Sequence, residues 1–298
     1  MSVDGILNVH KPRGLTSHDV VEAVRIWSQQ KRVGHAGTLD PLATGVLILC
    51  LGRATRLASY LEEGTKSYRA EVFLGVTTDT DDAQGRTLST APVEATLADL
   101  EGALAALQAQ RQQVPPRYAA IKRQGVPYYR LARQGLDFEP TPREVRIHRI
   151  ELVAWEPPTA VLAVECGKGT YIRSLARDLG QLMGCGAHLR SLVRLRSGRF
   201  FLEDAVDMEN LQLGFAHGFW EEFLYPVDEA VLGYDAMILG QANANRLKNG
   251  QPLSFSKGPG DHAERSWPCR AYSLQGQFLA LMSWDQVRGH WLPSKVFV

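Results

Sequence analysis

The stretch Gly34 to Gly45, GHAGTLDPLATG, sets three glycines, a proline and a histidine around a single carboxylate, Asp40. Glycines at this density let the backbone reach positive φ and let a ligand come close, and Pro41 biases Asp40 away from helical angles. Asp40 is therefore predicted on a shaped loop. The next residues, Val46-Leu47-Ile48-Leu49-Cys50-Leu51, form the short unbroken apolar run of a strand buried on both faces. A carboxylate at the mouth of such a strand suits nucleophilic or acid/base work, and the same pattern also fits an Asx turn entering a strand.

Upstream, Gly5 to Val9 reads as a strand closed by the Lys11-Pro12-Arg13-Gly14 turn. Thr16 or Ser17 can then cap a helix with Val20, Val21, Val24 and Trp27 at helical spacing. Downstream, Arg53 to Leu61 is a short helix, and Lys66 to Leu74 a strand with Tyr68, Ala70, Val72 and Leu74 on one face. TTDTDDAQG (Thr77 to Gly85) lacks the calcium-loop pattern, because Ala83 and Gln84 stand where a ligand and the turn glycine belong, and it reads as a polar turn. Leu97, Leu100, Leu104 and Leu107 mark a helix, while Val145–Trp155 and Ala160–Cys166 read as adjacent strands. Gly167-Lys168-Gly169-Thr170 does not follow the order of a nucleotide triphosphate loop. A helix from Tyr171, capped by Thr170, would turn Ile172, Leu175, Ala176, Leu179, Leu182 and Met183 inward. Arg173 falls in its first turn, where the helix dipole disfavours a cation, so a carboxylate is expected nearby. Val193 to Arg196 alternates like a strand.

At 298 residues, a large domain and a small one are expected, 1–228 and 229–298, the latter a small β-barrel rich in short apolar runs. The net charge of +1 names no partner, but its distribution does more. Arg117 to Arg149 carries eight Lys/Arg against three acids and interleaves them with Tyr118, Tyr128 and Tyr129; Arg190, Arg194, Arg196 and Arg199 form a second basic run. Both fit a polyanion, whereas the acidic Glu203 to Glu229 segment would face away as a linker. The four cysteines are widely spaced with no metal-binding pattern, which points to buried reduced thiols. MSVDGILNVHKPRG lacks a signal-peptide pattern and no apolar run reaches spanning length, so a soluble, cytoplasmic protein is expected.

NVHKPRGLTS at 8–17, KRVGHAGTLDPLATGVL at 31–47, KSYRAEVFLG at 66–75, VPPRYAAIK at 114–122, GTYIRSLARDLG at 169–180 and GAHLRSLVRLRSG at 186–198 together resemble the bacterial tRNA pseudouridine-55 synthases of the TruB type. The resemblance implies an α/β fold around a mixed, largely antiparallel sheet, with a C-terminal PUA-like barrel. It also implies action on the T arm of tRNA with no metal or organic cofactor; a monomer with no membrane and no required protein partner is expected. The chemistry breaks the ribose C1′–N1 bond, turns the base and joins C1′ to C5; a carboxylate can attack the sugar, add to the base or steer a proton from C2′. By resemblance Asp40 is that carboxylate, Arg173 its partner, and Tyr68 the ring that stacks on the target base. His35 sits where the flipped base leaves space, Leu192 touches the base, and Lys11, Pro12 and Ser17 shape the loop. Lys11, Arg53, Tyr171 and Lys122 complete the residues expected at the RNA.

Two other functions compete with this one. An RNA-binding protein would leave Asp40 dispensable, and a nucleoside hydrolase would need a second carboxylate, for which the Asp79, Asp81, Asp82 cluster is the candidate, though nothing in the sequence ties it to Asp40.

Overall fold

The computed structural model describes residues 3–123, 125–255 and 268–298. Its centre is β3 (Thr44–Leu51), buried over nearly its whole length. It is bordered on one side by β1 (Gly5–Lys11) and on the other by β2 (Val33–His35) and by the long strand β7 (Ala187–Ser197). With β4 (Lys66–Leu74), β5 (Ile147–Glu156), β6 (Thr159–Cys166) and β8 (Val206–Asp207), the order is β5-β6-β4-β7-β3-β1-β8. The pairings are antiparallel except β7 with β3 and β1 with β8, giving the expected mixed, largely antiparallel sheet.

The β7–β3 pairing is brief. Only Val193 with Thr44 and Arg194 with Gly45 stand in register, so the sheet is two half-sheets joined along a short seam. One face of both halves is covered by α1 (Ser17–Ser28), α3 (Leu97–Ala109) and α5 (Ile172–Leu182), whose apolar stripes meet Leu47, Leu49, Ala70, Val72 and Leu189 in the main core. On the other face, the 3-10 turn Gly52–Leu57 and α2 (Ala58–Glu63) enclose Val46, Ile48 and Cys50. Thr16, not Ser17, caps α1, in a reciprocal box with Asp19.

Three expectations are corrected. Thr170 does not cap α5, whose N-cap residue is Tyr171, and Leu182 is exposed. The acidic 203–229 stretch is no linker: β8 and Leu224–Tyr225 both pair with β1, and α6 (Met208–His217) places Leu211 in the main core. A strand closing the sheet edge needs few apolar residues, so its composition hid it. The irregular basic stretch contains α4 (Tyr128–Arg133), whose Tyr128 packs on Ala119 and Phe138.

The C-terminal part is a four-stranded sheet, β9 (Ala236–Leu239), β10 (Cys269–Ser273), β11 (Phe278–Asp285) and β12 (His290–Val296), with α7 (Gln241–Lys248) and an apolar core of its own. It joins the rest through Leu57, Val231, Leu281 and Phe297. Cys50, Cys166 and Cys269 are buried and all four cysteines are free. Among the described residues no helix is long and apolar enough to cross a membrane.

Candidate active site

Asp40 sits on the loop between β2 and β3, at the seam. Ser17, Gly14 and Arg194 hold the loop by its backbone atoms. Ser17 Oγ accepts from Leu39 N–H at 2.8 Å and donates to Leu39 O at 3.0 Å; Gly14 N–H donates to Pro41 O at 2.8 Å. From β7, the fully buried Arg194 reaches under the loop and donates to Val46 O at 2.6 Å, Gly37 O at 3.2 Å and Thr38 O at 3.4 Å. Gly45 has φ +103°, and a Cβ there would stand 2.2 Å from Arg194 O, so this close crossing of β3 and β7 requires glycine. Lys11 is fully buried, with its ammonium on Pro12 O at 2.8 Å and Leu15 O at 2.7 Å. Burial brings its pKa down to about 8, with Asp40 working in the opposite direction.

Arg173 arrives from the other half-sheet. Its Nε donates to Asp40 Oδ2 at 2.8 Å and its Nη2 to Oδ1 at 3.0 Å, a two-pronged fork that matches the planar carboxylate. Two backbone carbonyls take further donors, Thr80 O from Nη1 and Tyr118 O from Nη2, both at 3.2 Å. The guanidinium is buried while the Asp40 side chain stays 34% exposed. The carboxylate is thus fixed from behind and open in front.

The turn Thr78 to Arg86 is tied to this pair, contrary to the sequence reading. It docks on a bulge of β7, with Ala83 N–H on Leu189 O at 2.9 Å and Leu189 N–H on Asp81 O at 3.0 Å. Its acids go to three different arginines: Asp79 to Arg86 at 3.1 Å, Asp81 to Arg177 at 3.1 Å, and Asp82 to Arg173 at 3.8 Å. Such divergence does not assemble a cation site. Asp82 is also unsuited to activate a water beside Asp40, because it is buried and its Oδ1 already accepts from Thr80 Oγ1 at 2.6 Å and Gln84 N–H at 3.0 Å.

Tyr68 lies on β4 opposite Arg194, and Leu192 opposite Ala70. Both are buried on the sheet face that carries the main core. Burial raises the Tyr68 pKa, and Arg194 works against that rise through its charge and a hydrogen bond. His35 ends β2; burial lowers its pKa, and Nδ1 is buried with no hydrogen-bond partner. Asp40 and Arg173 therefore meet at the seam, with Tyr68 and Leu192 on the adjoining strands β4 and β7, while His35 lies opposite Leu49 in the β2–β3 pairing.

The other expected RNA residues are placed differently. Lys11 has no surface to offer, and its ammonium ties down the Pro12–Leu15 turn. Arg53 is bound to Asp4 at 2.6 Å, at the Gly5/Leu51 end of the β1–β3 ladder, whereas Asp40 adjoins the Lys11/Gly45 end, roughly 20 Å away at the rise of a strand. Tyr171 is half-buried against Ala119, Tyr128 and Phe138. Lys122 falls in the short strand Lys122–Arg123, and its side chain is outside the described residues. The Arg190–Arg199 run is not a free basic surface either: Arg194 is internal, Arg196 pairs with Glu165, and Arg199 pairs with Glu229 at 3.0 Å. Sequence reasoning missed Arg194 as a brace of the site, although its place between apolar neighbours in a strand was a signal, and it named Asp82 only as a candidate carboxylate for a hydrolase.

Comparison with known proteins adds to this geometry. Residues 25–172 match the family model described as TruB family pseudouridylate synthase (N terminal domain), and residues 173–232 match the tRNA pseudouridylate synthase B C-terminal domain. A protein named tRNA pseudouridine synthase B from Dehalococcoides mccartyi (strain CBDB1) is 40% identical over 304 residues, spanning 99% of this chain and 97% of the relative. One of the same name from Pseudomonas paraeruginosa is 42% identical over 261 residues, spanning 87% of this chain and 86% of the relative. Among solved structures, a chain of an H/ACA RNP bound to a substrate RNA containing 2′-deoxyuridine superimposes with a TM-score of 0.71 at 22% identity, over 99% of this chain and 85% of that one, a likeness of fold.

Proposed function

The chain belongs to the TruB family of pseudouridylate synthases, and on that premise we propose that it isomerises uridine 55 in the T loop of tRNA to pseudouridine. The observation that carries this reading is the Arg173 fork on a carboxylate that remains open on one side. The fork fixes the Asp40 carboxylate from behind and leaves its open side to attack C1′ or the base. Arg173 keeps that carboxylate aimed while the C1′–N1 bond breaks, the base turns, and C1′ joins C5. The C5 proton then leaves and N1 gains one, so the product is an isomer of the substrate. Tyr68 offers the detached base a ring to stack on. Burial keeps its hydroxyl protonated, so acceptance of the C5 proton falls to the phenolate, which the nearby Arg194 charge favours against that burial.

A uridine inside a folded loop must be extruded before Asp40 can reach it, at a cost of a few kcal/mol. His35, held neutral by burial, fills the space the base leaves, and Leu192 packs on the base edge. The exposed arginines Arg117, Arg123, Arg130 and Arg133 supply phosphate contacts around the Tyr128–Phe138 cluster. Residues 1–228 form the catalytic domain and 229–298 a PUA-like RNA-binding domain. The enzyme works in the cytoplasm as a monomer, without cofactor or protein partner.

The test is tritium release from a T-arm stem-loop labelled at C5 of uridine 55, with enzyme in excess. The native protein is expected to release one equivalent and Asp40→Asn none, with RNA affinity retained. Binding without release would point to an RNA-binding protein, and free uracil to a hydrolase.

A further inference from the structure

Helix α5 carries Arg173 in its first turn, yet its N-cap residue, Tyr171, makes no side-chain cap bond. The cap comes from 58 residues upstream: Gln113 Oε1 accepts from Tyr171 N–H at 2.9 Å, and Gln113 Nε2 donates to Tyr171 O at 3.1 Å. Among neutral side chains only a carboxamide presents a donor and an acceptor side by side, which is what both backbone groups of one residue require. Gln113 is 2% exposed, and its own backbone is fixed by pairing with Arg143.

The chain beyond Gln113 continues along the same turn of α5. Val114 O accepts from Ser174 Oγ at 2.8 Å and from Arg177 Nη2 at 2.8 Å, and Tyr118 O accepts from Arg173 itself. The start of α5 is thereby set by a strip outside the helix. The fork on Asp40 demands that setting, since two parallel bonds of 2.8 and 3.0 Å tolerate little movement of the arginine backbone.

We propose that Gln113 is a positioning residue for the isomerisation: its carboxamide fixes the Tyr171 backbone and with it the approach of Arg173 to Asp40. The inference rests on the function proposed above. It is tested with Gln113→Met, which keeps the length and removes both bonds. Single-turnover conversion of the T-arm stem-loop is expected to fall by about 10- to 100-fold, the scale of a misplacement near 1 Å, with the RNA Kd unchanged. In an Arg173→Lys background the same substitution is expected to cost much less, because the two side chains act through one fork. An unchanged rate, equal losses in rate and affinity, or fully additive losses would each overturn the proposal. Should Gln113→Met not fold by circular dichroism, Gln113→Glu carries the same test. It keeps the acceptor, loses the donor, and puts an anion where a helix N-terminus tolerates one. A native protein that makes no pseudouridine would overturn the function and this inference together, whereas an active native protein beside an unimpaired variant overturns the inference alone.

Discussion

Arg173 spends its donors on three separate segments: the Asp40 loop, the turn at Thr80, and the strip at Tyr118. A lysine at this position could satisfy only part of that set, with a point charge in place of a planar fork. Arg173→Lys is expected to lower the single-turnover rate by about 100-fold while leaving RNA affinity nearly intact, as measured by rapid quench and filter binding. Asp82→Asn removes a buried charge from beside Arg173 but keeps the shape of the turn. It is expected to cost about tenfold in rate, or roughly 1.4 kcal/mol in the barrier, with Asp79→Asn as the silent comparison because Asp79 serves only the exposed Arg86. At this scale Asp40 was legible, because no other carboxylate stands in so glycine-rich a loop. Arg194 was not, since four arginines within ten residues read as surface until the strand that buries one of them is known.

The elements were legible where a hydrophobic period repeats and obscure where it does not. β4 and α1 declare themselves through alternation and a capping box; the strands and helix of the acidic segment are too short or too polar to do so. The turn at Thr78 to Arg86 was read as peripheral for a related reason, because its partner is a bulge in β7 more than a hundred residues away. Helix α5 presses closest to the sheet at Gly180, where a Cβ would stand 2.1 Å from Ala187 N. Gly180→Ala must push the helix off the turn that leads into β7. It is expected to destabilise the fold by about 1–3 kcal/mol in urea titrations, and to lower the rate further because the same helix carries Arg173.

Over the whole molecule, the buried ionisable groups set the dependence of stability on pH. Burial holds the ammoniums of Lys11 and Lys66 at about 8 in the folded chain, against 10.5 when free. Between these values the unfolded chain binds more protons, so each lysine adds stability as pH rises through that window. The buried thiols of Cys50, Cys166 and Cys269, raised to about 12, 11 and 11, act with the opposite sign above their ordinary value of 9.0, where the unfolded chain ionises first. Removing one rising contribution should leave the falling ones dominant. The urea midpoint of Lys66→Met is therefore expected to decline more steeply than that of the native protein between pH 8 and 10. Charge totals foretold none of this, because a near-neutral sum is silent about which charges are enclosed.

The short seam between the half-sheets also has a consequence for how the protein is made. Asp40 precedes Arg173 by 133 residues, and a ribosome adding roughly 5–20 residues per second takes roughly 7–27 s to cover that distance. During this interval the carboxylate loop has emerged while its guanidinium, the Arg194 brace and most of the second half-sheet are still unmade. A nascent chain can therefore carry the reactive loop without a working site. Catalytic competence begins only when β7 closes the seam, well into the last half of synthesis.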